Sequence, residues 1–136
     1  MVKRRRGARS ARVRSRHHRP FESLVEVALA SIPQPFAAAL AEVAVVIADE
    51  PSAAQIRENE IEPDETLYGL YEGVPRTEWG ADWAAMPNKI TLFRLPLEAD
   101  FADPDDLADE VWITVVHELA HHLGIDDARL EELGIE

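Results

Sequence analysis

The hydrophobic pattern first becomes regular after residue 19, where it predicts an amphipathic helix. Five apolar side chains recur there at the spacing of one helical face: Phe21, Leu24, Val25, Ala28 and Leu29. Pro33 and Pro35 end this pattern, because proline is not tolerated in a helix interior. Pro35 can instead occupy the first turn of a short second helix through Phe36 and Leu40.

Three apolar stretches further along the chain predict strands. Residues 43–47 form a largely β-branched run of strand length. Residues 67–75 contain two glycines, which favour a short, irregular strand over a helix. Residues 90–95 predict a third strand, which Pro96 ends. The polar residues 51–66 predict a surface loop, and the pattern of residues 76–88 favours no particular element.

The clearest element is a long helix in the last third of the sequence. Asp103 is a favourable N-cap, Pro104 suits the first helical position, and Gly124 is a natural stop. Apolar residues line the helix between these ends: Leu107, Val111, Val115 and Leu119. A second short helix through Leu130 and Leu133 follows. With the strands, these helices predict an α+β domain whose longest helix carries the chemistry.

Size and composition are those of one compact domain. The chain has 136 residues, 46% of them hydrophobic. No run of about 18 apolar residues is present, so we expect no membrane-spanning helix. No uncharged apolar segment follows the basic start of the chain, which argues against a secretory signal. Cysteine is absent, so disulfides do not contribute to stability and cannot report the redox compartment. With no secretory signal or membrane-spanning helix expected, a cytoplasmic protein is the default expectation.

Charge is distributed very unevenly along the chain. Residues 1–19 hold nine of the 14 lysines and arginines and no acid, whereas residues 20–136 carry a net charge of −21. Such a basic stretch buries little apolar surface, so we expect residues 1–19 to be a disordered arm and residues 20–136 to be the folded domain. The acidic domain is a poor partner for nucleic acid, which could bind only through the arm.

Candidate metal ligands lie towards the end of the long helix. His117 and His121 are one turn apart on the same face, so both imidazoles can reach one cation. Catalytic zinc usually takes three protein ligands and keeps one position open. Gly124 can turn the chain sharply, which brings Asp126 and Asp127 within reach as the third ligand.

Glu118 follows the first of these histidines, the position of the general base for metal-bound water in His-Glu-x-x-His sites. That motif alone also occurs by chance. Its setting in an apolar helix, where unpaired His and Glu are costly to bury, favours a metal site. His122 lies about 100° around the helix from His121, so we expect it on the surface or supporting the site from behind. His17 and His18, in the arm, are expected to be solvated.

The pattern His117-Glu118-x-x-His121-x-x-Gly124-x-x-Asp127 resembles the extended zinc motif of metzincin-type metallopeptidases, in the variant with aspartate as third ligand. More closely, the chain resembles the small bacterial zincin-like metallopeptidases. Further segments that are similar to that family are residues 70–75, 87–93, 96–98 and 124–134. The resemblance as a whole covers residues 20–136.

This resemblance implies a minimal zincin-like fold, a small twisted sheet packed on a long metal-binding helix. It implies one zinc ion held by His117, His121 and Asp127, with Glu118 as the general base for the zinc-bound water. The implied substrates are peptides or proteins. It also implies an edge strand that pairs with extended peptides, for which residues 90–95 are the candidate. For Tyr68 and Tyr71, packing is favoured over a role in stabilising an oxyanion.

One departure concerns the methionine turn that larger metzincins place well after the third ligand. Only nine residues follow Asp127, and the methionines are Met1 and Met86, so we expect the floor of the substrate pocket to be absent or to be built otherwise. Two alternative functions stay open from the sequence. One is a metal-dependent ribonuclease of the RNA-maturation type, favoured by the basic arm and opposed by Glu118. The other is a non-catalytic zinc-holding module that binds peptides.

Overall fold

The computed structural model of the chain describes residues 2–6, 20–73 and 88–132. The helices and strands within these ranges are, in chain order, β1 (Val2–Arg6), α1 (Phe21–Ala30), α2 (Phe36–Leu40), β2 (Ala44–Ala48), α3 (Ala53–Glu58), β3 (Glu65–Glu72), β4 (Lys89–Phe93), α4 (Arg94–Asp100), α5 (Pro104–His122) and α6 (Asp127–Glu132). This mixture of helices with a small sheet is the α+β class predicted from the sequence.

The strands form one mixed sheet in the order β1-β3-β4-β2. β4 pairs with β3 in antiparallel orientation and with β2 in parallel orientation. Ile90, Leu92 and Phe93 are fully buried, as expected for a strand covered on both faces. The prediction that residues 90–95 form a peptide-binding edge strand is therefore wrong, because β4 lies inside the sheet with a partner on each side.

The end of β4 also differs from the prediction. The strand stops at Phe93, and Pro96 lies inside the first turn of α4, where a missing N–H costs little. Arg94 begins this helix. Its guanidinium contacts Asp49 at 2.8 Å and Glu98 at 2.9 Å, which ties the end of β2 to α4. The hydrogen bond to Asp49 is the main reason that the pKa of Arg94 is raised.

The segment predicted as a loop over residues 51–66 contains the short helix α3 and the first residues of β3. Ser52 and Gln55 form a capping box: the Ser52 hydroxyl accepts the Gln55 N–H, and the Gln55 side chain accepts the Ser52 N–H. β3 is also an eight-residue strand rather than an irregular one. A side chain at Gly69 would lie 2.5 Å from Thr114 Cγ2, so this glycine lets β3 approach α5 closely.

The predicted helices α1 and α5 are both confirmed, and they pack against each other. Asp103 caps α5 through its carboxylate, which accepts the Asp105 N–H at 2.7 Å, and Pro104 is the first helical residue. α5 also packs on β3 and β4, so the main core lies between the helices and the sheet. A smaller apolar cluster combines Leu67, Leu70 and Phe93.

Part of the basic arm departs from the expectation of disorder, because Val2–Arg6 form a strand antiparallel to β3. Residues 7–19, with His17 and His18, lie outside the described residues, as do Met1, Met86, most of the unassigned segment and Leu133. In the described part of the chain, no helix combines the length and the apolar character needed to cross a membrane.

Candidate metal centre

α5 carries the residues of the His-Glu-x-x-His motif, and two of them, Glu118 and His121, contact Tyr71 of β3. His117 and His121 lie four residues apart on this helix, and the His117 side chain is 14% exposed. Glu118, between them in sequence, is fully buried. A buried carboxylate is stable only with hydrogen-bond partners, so the surroundings of Glu118 determine what it can do.

α5 ends in a turn that reverses the chain. Gly124 has φ 79°, its N–H donates to the His121 carbonyl at 3.0 Å, and the Ile125 N–H donates to the Ala120 carbonyl at 2.8 Å. These two bonds and the left-handed glycine define a Schellman motif. The glycine stop predicted from the sequence is confirmed, and α6 begins three residues later at Asp127.

The two aspartates after the turn have different contacts. Asp126 caps α6, because its Oδ1 accepts the Arg129 N–H at 2.9 Å. Asp127 points back towards α5, where its Oδ1 lies 3.3 Å from His117 Nε2. The Asp127 side chain is 72% exposed, so it can turn without disturbing the core. The sequence left both aspartates open as ligands, and these contacts favour Asp127.

The His117–Asp127 separation fits a shared zinc ion. Two ligand atoms of one tetrahedral zinc, each about 2.0–2.2 Å from the metal, lie about 3.3–3.5 Å apart. The observed 3.3 Å between Nε2 and Oδ1 falls at this distance. Within the described residues, no three His, Asp or Glu side chains come together closely enough to form a complete metal site. The structure thus brings two of the three predicted ligands into contact, with His121 one helical turn away.

Tyr71, near the end of β3, links the sheet to two residues of the motif. Its backbone N–H donates to Glu118 Oε1 at 3.0 Å. Its ring packs edge-on against the His121 imidazole, with 4.8 Å between ring centres. Sequence reasoning did not give Tyr71 this place, because a contact between residues this far apart in the chain leaves no local signal.

A buried chain of hydrogen bonds continues from Tyr71 away from the motif. The Tyr71 hydroxyl lies 2.9 Å from His122 Nδ1, and His122 Nε2 lies 2.8 Å from Glu42 Oε1. His122 is fully buried, so its predicted alternative place on the surface is wrong. A local signal existed, since His122 continues the buried helical face of Val111 and Val115.

Tyr68 lies apart from this arrangement. Its hydroxyl donates to Asp100 Oδ2 at 2.6 Å, and its ring contacts Phe101 edge-on. The Tyr71 hydroxyl is also engaged within the protein, where it donates to Asn88 Oδ1 at 3.1 Å. Both tyrosines therefore serve packing and positioning, as favoured from the sequence.

The chain matches a model of a known protein family. A family model described as zincin-like metallopeptidase matches residues 40–135, which include the long helix, the glycine turn and Asp127. A search of curated proteins found no match. The family description fits the resemblance seen in the sequence and favours a peptidase over the RNA-processing alternative.

Proposed function

The chain belongs to the zincin-like metallopeptidase family, and from this premise we propose that it hydrolyses peptide bonds with zinc. His117, His121 and Asp127 would hold the ion, and Glu118 would act as the general base. The observation that carries the proposal is the 3.3 Å contact between His117 Nε2 and Asp127 Oδ1, a separation suited to two ligands of one ion. The donor set, two imidazoles and a carboxylate, is one that catalytic zinc commonly uses.

Zinc, when bound, polarises the carbonyl of the scissile bond and makes water more acidic. Glu118 would take a proton from the attacking water and pass it to the leaving amine. The Tyr71 N–H bond to Glu118 Oε1 supports this role, because it holds the carboxylate in one orientation beside the histidine-bearing face of α5. The Tyr71 ring against His121 would likewise restrict that imidazole.

Metal analysis of the purified protein tests the ligand set. We expect one zinc per wild-type chain and at least a tenfold loss of zinc affinity in Asp127→Ala. Asp126→Ala is the matched control: it removes a neighbouring carboxylate and the cap of α6, yet should keep the zinc. If Asp127 serves only as an ion-pair partner of His117, both variants will bind zinc like the wild type, and the proposed ligand set is then wrong.

Activity on unfolded protein or a peptide library tests the role of Glu118. Glu118→Gln should keep one zinc ion and lose hydrolysis by at least about 100-fold, because the amide cannot accept the proton. Equal cleavage by both proteins would remove Glu118 from the mechanism. Stoichiometric zinc without turnover of any peptide by the wild type would favour the non-catalytic module instead.

A further inference from the structure

We propose that Val2–Arg6 is an autoinhibitory strand that covers the outer edge of β3, where an extended basic segment of a substrate would otherwise bind. This inference rests on the proposed function, because it concerns access to the same candidate site. It gives the basic arm a role and names the kind of peptide that the site would accept.

The pairing of β1 with β3 has the form of strand addition. The register is antiparallel, with Val2 opposite Leu70 and Arg6 opposite Glu65. β4 occupies the other edge of β3, so β1 takes the remaining main-chain hydrogen-bonding edge of this strand. An extended peptide that joins a sheet uses the same main-chain groups, so it would have to displace β1 to bind here.

The covered edge leads directly to the candidate base. The last pair in the register joins Val2 to Leu70, and the next residue of β3 is Tyr71, whose N–H donates to Glu118 Oε1. The Glu118 carboxylate thus contacts β3 at the residue directly after the last one that pairs with β1. α5, which carries Glu118 and His117, also contacts β1. A strand bound along this edge would therefore end beside the residues proposed to cleave it.

Charge favours a basic occupant of this edge. Four consecutive basic residues, Lys3, Arg4, Arg5 and Arg6, make up most of β1. β3 begins with Glu65 and ends with Glu72, and residues 20–136 carry a net charge of −21. The negative charge of the chain therefore attracts basic segments to this edge. Its own arm has a high effective concentration there, because it is covalently attached to the domain.

Competition with a labelled peptide tests the inference. The probe is a fluorescent peptide of residues 1–10, and binding is measured by anisotropy, which needs no turnover. The variant Arg4→Pro/Arg5→Pro should prevent pairing of the arm, because consecutive strand residues point their N–H groups to opposite sides and one of the two must face β3. Arg14→Pro/Arg16→Pro is the matched control: it loses the same charge and gains the same prolines outside Val2–Arg6.

We expect Arg4→Pro/Arg5→Pro, the strand variant, to bind the peptide about tenfold more tightly than the wild type and the control. This gain corresponds to an arm that covers the edge about 90% of the time in the wild type. A peptide with Glu in place of its Lys and Arg residues should bind at least tenfold more weakly. Equal binding by all three proteins, no binding by any of them, or equal binding of both peptides would overturn the inference.

A disulfide provides a second test, because the chain contains no cysteine of its own. Arg6→Cys/Glu65→Cys joins residues that are opposite each other in the register, a separation that suits a disulfide. Oxidation should lock the arm and abolish peptide binding, and reduction should restore it. The control Glu65→Cys, which lacks a second thiol in the arm, should keep its peptide binding on oxidation. A disulfide-linked dimer would mean that a second copy supplies the strand and would overturn the intramolecular form.

Turnover measurements separate this inference from the proposed function. If the protein binds zinc and cleaves peptides, the strand variant should show a severalfold higher kcat/KM on basic peptides. If zinc or cleavage is absent while the strand variant still gains peptide affinity, the proposed function fails and the covered edge remains a peptide-binding surface. Normal zinc binding and cleavage with no difference between strand variant and control would refute autoinhibition alone.

Discussion

His122 offers the sharpest test of how the candidate centre is built into the fold. The imidazole is fully buried between the Tyr71 hydroxyl at 2.9 Å and the Glu42 carboxylate at 2.8 Å. His122→Ala removes both hydrogen bonds, worth about 0.5–1.5 kcal/mol for the hydroxyl and about 1.5–3 kcal/mol for the charged carboxylate. The vacated volume adds a further penalty. We expect the free energy of unfolding to fall by at least about 3 kcal/mol.

For a chain of this length, that loss lowers Tm by about 10 °C. Urea and thermal unfolding followed by circular dichroism, in the presence of a chelator, measure the effect. His117→Ala is the matched control, since it makes the same substitution on the same helix at a partly exposed ring. The control should lose less than about 1 kcal/mol, in line with its smaller burial.

Zinc then separates the two roles. Added zinc should raise the Tm of His122→Ala but not that of His117→Ala, because only the second variant lacks a proposed ligand. If the free energies of unfolding of His122→Ala and the control differ by less than about 0.5 kcal/mol, a difference typical of surface changes, the hydrogen bonds to Tyr71 and Glu42 do not stabilise the protein.

Three further outcomes are expected. Gly69→Ala should destabilise the protein by about 1–3 kcal/mol in urea titrations, since the new Cβ would meet Thr114 Cγ2 at 2.5 Å. Adding Thr114→Ser, which removes that methyl group, should recover part of the loss; if it recovers none, the strain lies elsewhere. Ser52→Ala should cost about 0.5–2 kcal/mol by removing the α3 cap, unless α3 unfolds independently of the domain, in which case the global transition stays unchanged. Zinc at 100 times its Kd should stabilise the wild type by about 2.7 kcal/mol, and an unchanged Tm would contradict specific binding to the folded state.

The parts of this fold that the sequence predicts are those specified by neighbouring residues. The limits of α5 follow from Asp103, Pro104 and Gly124, whose conformational preferences act within one or two turns. α3 was equally predictable, because Ser52 and Gln55 have the spacing of a capping box, but the polar composition of the segment concealed it. The spacing of the candidate ligands is likewise local, which explains why the motif can be found without the structure.

Features that depend on distant pairing could not be derived in this way. The composition of β4 fits an edge or an interior strand equally well, and only its parallel pairing with β2 places it inside the sheet. The contact from His122 to Glu42 spans 80 residues. The place of Tyr71 beside Glu118 also depends on the packing of α5 on β3. Gly69 permits this close packing, but a glycine in a strand does not by itself predict which element packs there.

The turn at Gly124 sets a strict limit on chain length between the two helices it joins. Both hydrogen bonds of the turn join it to carbonyl groups in the last turn of α5, and α6 begins three residues after Gly124, at Asp127. Inserting or deleting one residue between Gly124 and Asp127 would change the length of the turn before α6 and carry the Asp127 carboxylate away from His117 Nε2, which it contacts at 3.3 Å. Insertions before Asp103 would leave this corner untouched. If Asp127 is a zinc ligand as proposed, variants of differing length should bind zinc only when they keep a carboxylate at this spacing.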